Sequence, residues 1–270
     1  MRLFLLLTAC TTLHAQWLNY PSRGTPRSKD GKPDLQARTP RASGKPVLSG
    51  VWQVAPAAGE VEKLFGKLDV EDVPGDDLTT FSKYFFNILA DFARGHEPMT
   101  PEAFAAMKNG PQHALSPDER CLPLSVPRAD LIGFPFKIVQ TAEQLVAMYE
   151  ADHTHRQIYL DGRPLPKDPN PAWLGYSVGR WEGDTLVVDT TGFNAEVQLD
   201  TMRHPHSDKL RVQERFHRDD FGHMGLQITI DDPRMYTKAI AFSVRLLLMP
   251  DSDILESFCN ENEKDRAHLK

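Results

Sequence analysis

Long apolar runs, surplus positive charge and cysteine are all scarce in this chain, and each scarcity removes a class of function. Nowhere among the 270 residues do roughly 18 apolar residues follow one another, which excludes a helical bilayer span. The formal charge is −6, so no nucleic-acid partner is expected. Neither a Gly-x-Ser-x-Gly elbow nor a Gly-Lys-Ser/Thr phosphate loop occurs, which argues against an α/β-type serine esterase and a nucleotidase. The cysteines, Cys10, Cys121 and Cys259, lie too far apart for a zinc cluster, and nothing in the pattern calls for a cofactor. What is present, 40% hydrophobic and 25% charged residues, is the composition of a chain that can bury a core.

The first fifteen residues read as an address. Arg2, the apolar run Leu3 to Leu7 and the small residue Ala15 fit a secretory signal cleaved after residue 15. A variant reading, acylation of Cys10 as in bacterial lipoproteins, places that cysteine unusually early, so simple cleavage and an exported, periplasmic or secreted product are expected. Export leaves Cys121 and Cys259 where disulfides persist, and a bridge between them is one expectation; two separate buried thiols are the other.

Residues 16–49 hold seven Lys/Arg against two Asp, with Pro21, Pro26, Pro33, Pro40 and Pro46. Proline removes ladder donors, so this stretch reads as an extended basic arm, either a solvated leader or a contact to an acidic cell surface. Residues 50–270 carry 23 bases and 35 acids, a net −12, and read as a single β-rich domain. It opens with a strand at Val47 to Val54 and holds a helical insertion, 77–110. There Phe81, Tyr84, Phe85, Ile88, Leu89 and Phe92 recur at helical spacing after Asp76, Asp77 and Thr79, and Thr100-Pro101-Glu102 starts a second helix that Gly110 ends.

From about Leu131 the hydrophobic period becomes two, and nine strands are expected: 136–141, 145–150, 155–161, 176–181, 185–190, 210–217, 226–231, 240–248 and 254–258. Tight turn signals such as Glu182-Gly183-Asp184 between them imply an antiparallel meander. So many strands close into a barrel or fold into a two-sheet sandwich. Gly50-Val51-Trp52 resembles the Gly-x-Trp that opens lipocalin barrels, which favours a lipocalin-like barrel.

Chemistry is sought where a polar residue breaks the alternation. Leu210, Val212, Glu214 and Phe216 share one face of their strand, so Glu214 lies on the apolar side and needs a partner. Arg156, on the same face as Ile158 and Leu160, is the candidate, and the pair serves either to lock the fold or to orient a ligand. The pairs His153/His155 and His204/His206 offer proton-transfer groups, with His155 and His206 the candidates, or are exposed loop ends. His-x-His resembles a cupin metal motif, but Tyr159 and Asp161 stand where that motif has its Glu, so no metal set is assigned. Tyr176, Arg180 and Trp181, flanked by small residues and preceded by Arg163, read as an aromatic platform beside guanidinium groups for a planar or sugar-like ligand. Equally, Trp181 packs at a barrel end.

The segments Asp161-Gly162-Arg163-Pro164, Gly175 to Thr190, His204-Pro205-His206-Ser207, Glu214-Arg215-Phe216, Thr229-Ile230-Asp231-Asp232-Pro233 and Cys259-Asn260-Glu261-Asn262 together resemble a family of uncharacterised exported bacterial proteins. The resemblance implies that these segments work together and brings no activity with it. The leading expectation is an exported enzyme processing a small molecule by hydrolase, lyase or isomerase chemistry in the barrel. Glu214, His206, His155 and Arg156 are its catalytic candidates, and Tyr176, Arg180, Trp181 and Arg163 its ligand contacts. The rivals are a non-catalytic carrier of the same fold and a surface module acting through the basic arm.

Overall fold

The computed structural model describes residues 20–55, 81–109, 120–151 and 153–256. The expected signal, Asp76 to Thr79 of the insertion, and Cys259 lie outside them. Nine strands close a barrel: β3 (Gly50–Val54), β4 (Phe136–Gln140), β5 (Gln144–Tyr149), β6 (His155–Tyr159), β7 (Tyr176–Glu182), β8 (Thr185–Thr191), β9 (Arg211–Arg218), β10 (His223–Asp231) and β11 (Ile240–Leu248). Each pairs with its neighbours in chain order, and β11 returns to β3. Before them β1 (Arg41–Ala42) and β2 (Lys45–Pro46) make a short hairpin. The barrel is lipocalin-like, and alternate inward residues such as Leu226, Ile228, Ile230 and Phe242 fill it.

One pairing departs from the expected meander. β6 and β7 run parallel, with Ile158 beside Ser177 and Tyr159 beside Val178. The parity of nine requires this, because strands that alternate in direction all the way round can close only in even number. The link 160–175 carries the chain back outside the barrel. Pro164, Pro166, Pro169 and Pro171 keep it from adding a strand, since each lacks a ladder donor. The expected last strand is absent from its described part: residues 254–256 pair with no strand, and Leu255 N–H donates to the Glu150 carboxylate instead, at 2.7 Å.

The insertion also departs from its periodicity. Only α1 (Lys83–Phe86) is helical in the expected long helix. Ile88 N–H donates to Asp200 at 2.6 Å and Leu89 N–H to the Asn87 side chain at 2.9 Å, so helix donors are drawn away one turn in. The aromatic stripe packs as expected of core, with Tyr84 stacked on Phe242 at 4.0 Å. Helix α2 (Pro101–Asn109) forms as read, capped by Thr100 Oγ1, which accepts from Ala103 N–H at 3.2 Å. With α3 (Arg128–Leu131), these segments cover the barrel end where β8 and β10 finish. Thr201 N–H reaches the Phe85 carbonyl at 3.1 Å and Thr100 N–H that of Met235 at 2.9 Å, tying this cap to the rim loops.

The opposite end, where tight turns follow β7 and β9, is closed by the N-terminal segment. Residues 20–49 are not the extended arm expected but fold through successive turns, an Arg27–Pro33 bridge and the β1–β2 hairpin, and they lie against the barrel: Arg27 pairs with Asp251 and Arg41 with Asp184, each at 2.6 Å. Gly222 N–H donates to the Leu35 carbonyl at 2.8 Å, and a Cβ at Gly222 would sit 2.6 Å from that of Leu35. Gly222→Ala is therefore expected to loosen this segment at a cost of about 1–3 kcal/mol, as overpacking does. The check is faster tryptic cleavage after Arg27 or Lys29; cleavage at the wild-type rate would count against the docking.

Candidate functional site

The barrel interior under the cap holds a buried polar network. On β9, Glu214 faces inward between Val212 and Phe216, and on β6 Arg156 does the same beside Ile158, as alternation requires. Arg156 grips Glu214 with both terminal nitrogens, Nη1 to Oε1 at 3.0 Å and Nη2 to Oε2. Its remaining contacts are Nε to Ser177 Oγ at 2.9 Å and Nη2 to Thr190 Oγ1 at 2.7 Å, and those two hydroxyls lie 3.0 Å apart across β7 and β8. Burial works against the guanidinium charge, but Glu214 beside it outweighs this and holds Arg156 protonated.

The cap adds a second carboxyl. α3 places Asp130 over the network, where Oδ1 accepts from Tyr149 Oη–H at 2.8 Å and Oδ2 lies 3.9 Å from Arg156 Nη1 with no hydrogen-bond partner. Burial first, and then the neighbouring Glu214 charge, raise the Asp130 pKa well above the carboxylate range. Both Glu214 oxygens accept from the guanidinium, whereas burial and the neighbouring charge favour the protonated form of Asp130. Burial and Asp130 likewise raise the Tyr149 pKa. Asp130, Tyr149 and Arg156 border a cavity of about 10 Å³ with Phe136, Ile138 and Phe216, room for a single water.

The other predicted residues are not gathered here. His155 follows the opposite parity from Arg156 and is exposed on the outside of β6, which removes it from the interior constellation. His206 is buried in the rim loop, where its Nδ1–H donates to the Ser207 carbonyl at 3.1 Å and Phe193 meets it edge-on. Burial lowers its pKa, and none of its contacts reaches Glu214. His204 is buried too, its Nδ1–H donating to Asp200 at 2.5 Å. Among the described residues no three His, Cys, Asp or Glu side chains form a metal-binding group.

The expected aromatic platform is divided by the pleat. Tyr176 and Arg180 face outward, while Trp181 shares the inward parity of Ser177 and packs on the core. Arg180 is held by Asp189 and Glu182. Outside, Arg163 lies over Tyr159 at 3.7 Å, Tyr159 stacks on Tyr176 at 5.3 Å, and Asp161 holds the guanidinium at 2.6 Å. At the cap end of the barrel Lys167, Pro169, Phe193, Arg211 and Pro233 line an open cleft of about 450 Å³ that contains none of the predicted site residues.

Asp130 and Tyr149 escaped sequence reasoning. Tyr149 ends a strand whose alternation already pointed it inward, which was a usable signal. Asp130, in Ala129-Asp130-Leu131-Ile132, is a lone carboxylate in an apolar run, the same kind of signal that exposed Glu214. Comparison of the chain with family models, curated proteins and solved structures finds no match, so the class defined here is that of a closed nine-stranded barrel with a capped polar interior.

Proposed function

We propose that the protein is an exported enzyme that processes a small polar or aromatic molecule by acid/base chemistry at the capped end of the barrel. The observation that carries this is Asp130 Oδ2, a buried carboxyl oxygen with no hydrogen-bond partner, 3.9 Å from the guanidinium of a fixed charge pair, on a group whose pKa burial and the Glu214 charge raise. Unsatisfied buried groups of this kind are uncommon in a merely structural network. In this reading Asp130 is the general acid, Tyr149 positions it, and the Arg156–Glu214 pair orients the substrate while the charges stay balanced. Glu214, a catalytic candidate from sequence as general base or acid, is in this reading an anchor. Substrate enters when the segment bearing α3 withdraws, since the closed cavity holds no more than water.

The test is a turnover screen of wild type, Asp130→Asn and Glu214→Gln against glycosides, lactones and small aromatic esters. Expected is at least one substrate whose kcat/KM falls about 10²–10⁴-fold in Asp130→Asn, the usual weight of a general acid. Saturable binding with no turnover would replace the enzyme by a carrier, and turnover indifferent to Asp130 would overturn the assignment.

Export and a Cys121–Cys259 bridge belong to the same reading. Such a bridge would close a loop of 138 residues and stabilise the fold by up to about 5 kcal/mol. Protein recovered from the cell envelope is expected to begin at Gln16 and to yield a linked Cys121–Cys259 peptide under non-reducing digestion. Retention of Met1 or alkylation of both thiols without reductant would reject it.

A further inference from the structure

At the end of the barrel away from the cap, a cleft of about 410 Å³ separates the N-terminal segment from the strand ends. That volume lies within the range of small-molecule sites. Arg23, Lys137 and Arg218 line it against one carboxylate, Asp253, which leaves a surplus of two positive charges. Lys137 and Asp253 satisfy each other at 2.8 Å. The surplus therefore rests on Arg23, which is exposed, and on Arg218, which is only 4% exposed.

Arg218 is an unusual cation. Its guanidinium lies between the rings of Trp52 and Phe221, 4.9 and 5.3 Å from their centres. Nε, Nη1 and Nη2 donate to the carbonyls of Asp220, Val47 and Phe221. Among the described residues no carboxylate lies within ion-pair distance of it. The two acids that follow it are committed elsewhere, Asp219 to Arg245 at 3.4 Å and Asp220 to His223 Nδ1 at 2.7 Å and to two backbone N–H groups. Burial pushes the Arg218 pKa down to about 10, against a smaller opposing effect of Asp220. A buried charge held by carbonyls alone lacks the counter-charge that such groups ordinarily have. Five guanidinium N–H donors exceed the three bonds made, so donors remain for an oxyanion.

We infer that this cleft binds a small organic anion, its carboxylate or phosphate head against Arg218 and Arg23 and its apolar body against Phe221 and Met249. The charge surplus selects the sign, the planar guanidinium selects an oxyanion, and the apolar lining selects an organic rather than a bare inorganic ion. The N-terminal segment contributes Ser22, Arg23 and Thr25 to the wall, so its basic character serves a site as well as a docking surface. This site does not depend on the chemistry proposed under the cap.

Calorimetric titration of the mature full chain with phenyl phosphate and with benzoate, at constant ionic strength, tests it. Saturable binding of at least one probe is expected, and which of them binds identifies the head group. Arg23→Glu, an exposed change, is expected to weaken binding at least about tenfold, following loss and reversal of a charge-assisted contact. Lys167→Glu, the same charge change in the cleft at the cap end, is expected to leave affinity within about twofold, since screening limits long-range effects. Arg218→Lys keeps the charge without the fork and should weaken binding where it folds; where it does not, Arg23→Glu carries the test. No saturable binding of either probe, or equal weakening by Arg23→Glu and Lys167→Glu, overturns the proposal.

Discussion

Replacing Glu214 by alanine is expected to lower stability by about 3–5 kcal/mol, the cost of leaving a buried charge without its partner. Arg156 would keep its bonds to Ser177 and Thr190 but lose the carboxylate that balances its charge, with 2% of its side chain exposed. For a domain of this size each kcal/mol moves Tm by about 2–4 °C, so thermal unfolding should shift down by roughly 6–20 °C. Asp130 complicates the outcome in an informative way. Its Oδ2 is 3.9 Å from Arg156, and the Glu214 charge is one of the two main reasons it stays protonated. In Glu214→Ala that repulsion is gone, so Asp130 can ionise and partly replace the lost counter-charge. Asp130→Asn, silent or stabilising in wild type, should therefore become destabilising in the Glu214→Ala background, a coupling expected between members of one network. The paired replacement Glu214→Leu with Arg156→Met, which removes both charges, should recover most of the loss. A Glu214→Ala, Asp130→Asn protein within about 1 kcal/mol of wild type would show that neither carboxylate is needed to balance Arg156.

The residues that made this network legible were those whose local pattern forced a choice. Period-two alternation placed Glu214 and Arg156 on inward faces of separate strands, and a buried carboxylate and guanidinium need each other, so their pairing followed from desolvation alone. Ile240–Leu248 and the start of α2 at Thr100-Pro101 were read correctly for similar reasons, a long alternation and a cap with proline behind it. The failures share a different cause. The helix expected over Phe81 to Phe92 broke because Asp200, 112 residues away, takes the Ile88 donor, and no window of sequence contains that contact. The parallel β6–β7 pair depends on how many strands close the barrel, a global count rather than a local preference. Trp181 and Tyr176 were grouped by nearness in sequence, whereas five residues along a strand put side chains on opposite faces. His155 was misplaced by the same parity that placed Arg156 correctly. The candidate acid lay in a four-residue helix between the insertion and the first of the alternating strands, too short for either period to show.

Asp130→Asn should be almost silent in stability near pH 4 and increasingly stabilising relative to wild type as pH rises. The folded-state pKa of Asp130 is raised above its unfolded value, by burial and by the Glu214 charge. Below the unfolded value, about 3.9, both states carry the proton and the group makes no difference. Above it the unfolded chain releases the proton while the folded protein retains it. The folded state then binds more protons than the unfolded, and stability falls with each rise in pH until the folded carboxyl itself ionises. An amide cannot titrate, so the variant lacks this decline; it keeps an oxygen for Tyr149 and places an NH₂ near the vacant Oδ2 position. Urea unfolding of wild type and variant from pH 4 to pH 8 measures the difference, which should widen by about 1.4 kcal/mol for each pH unit over the window where only the unfolded state has ionised. A difference that stays flat, or that widens toward acid, would mean that Asp130 is ionised in the folded protein. The same variant separates the carboxyl's two roles: if Asp130 is the acid, the substitution that relieves its cost to the fold also removes turnover, a burden on stability retained for chemistry. Loss of activity with a flat stability difference would instead leave Asp130 as a charged positioning group, and a steep stability difference with full activity would leave its proton a feature of packing alone.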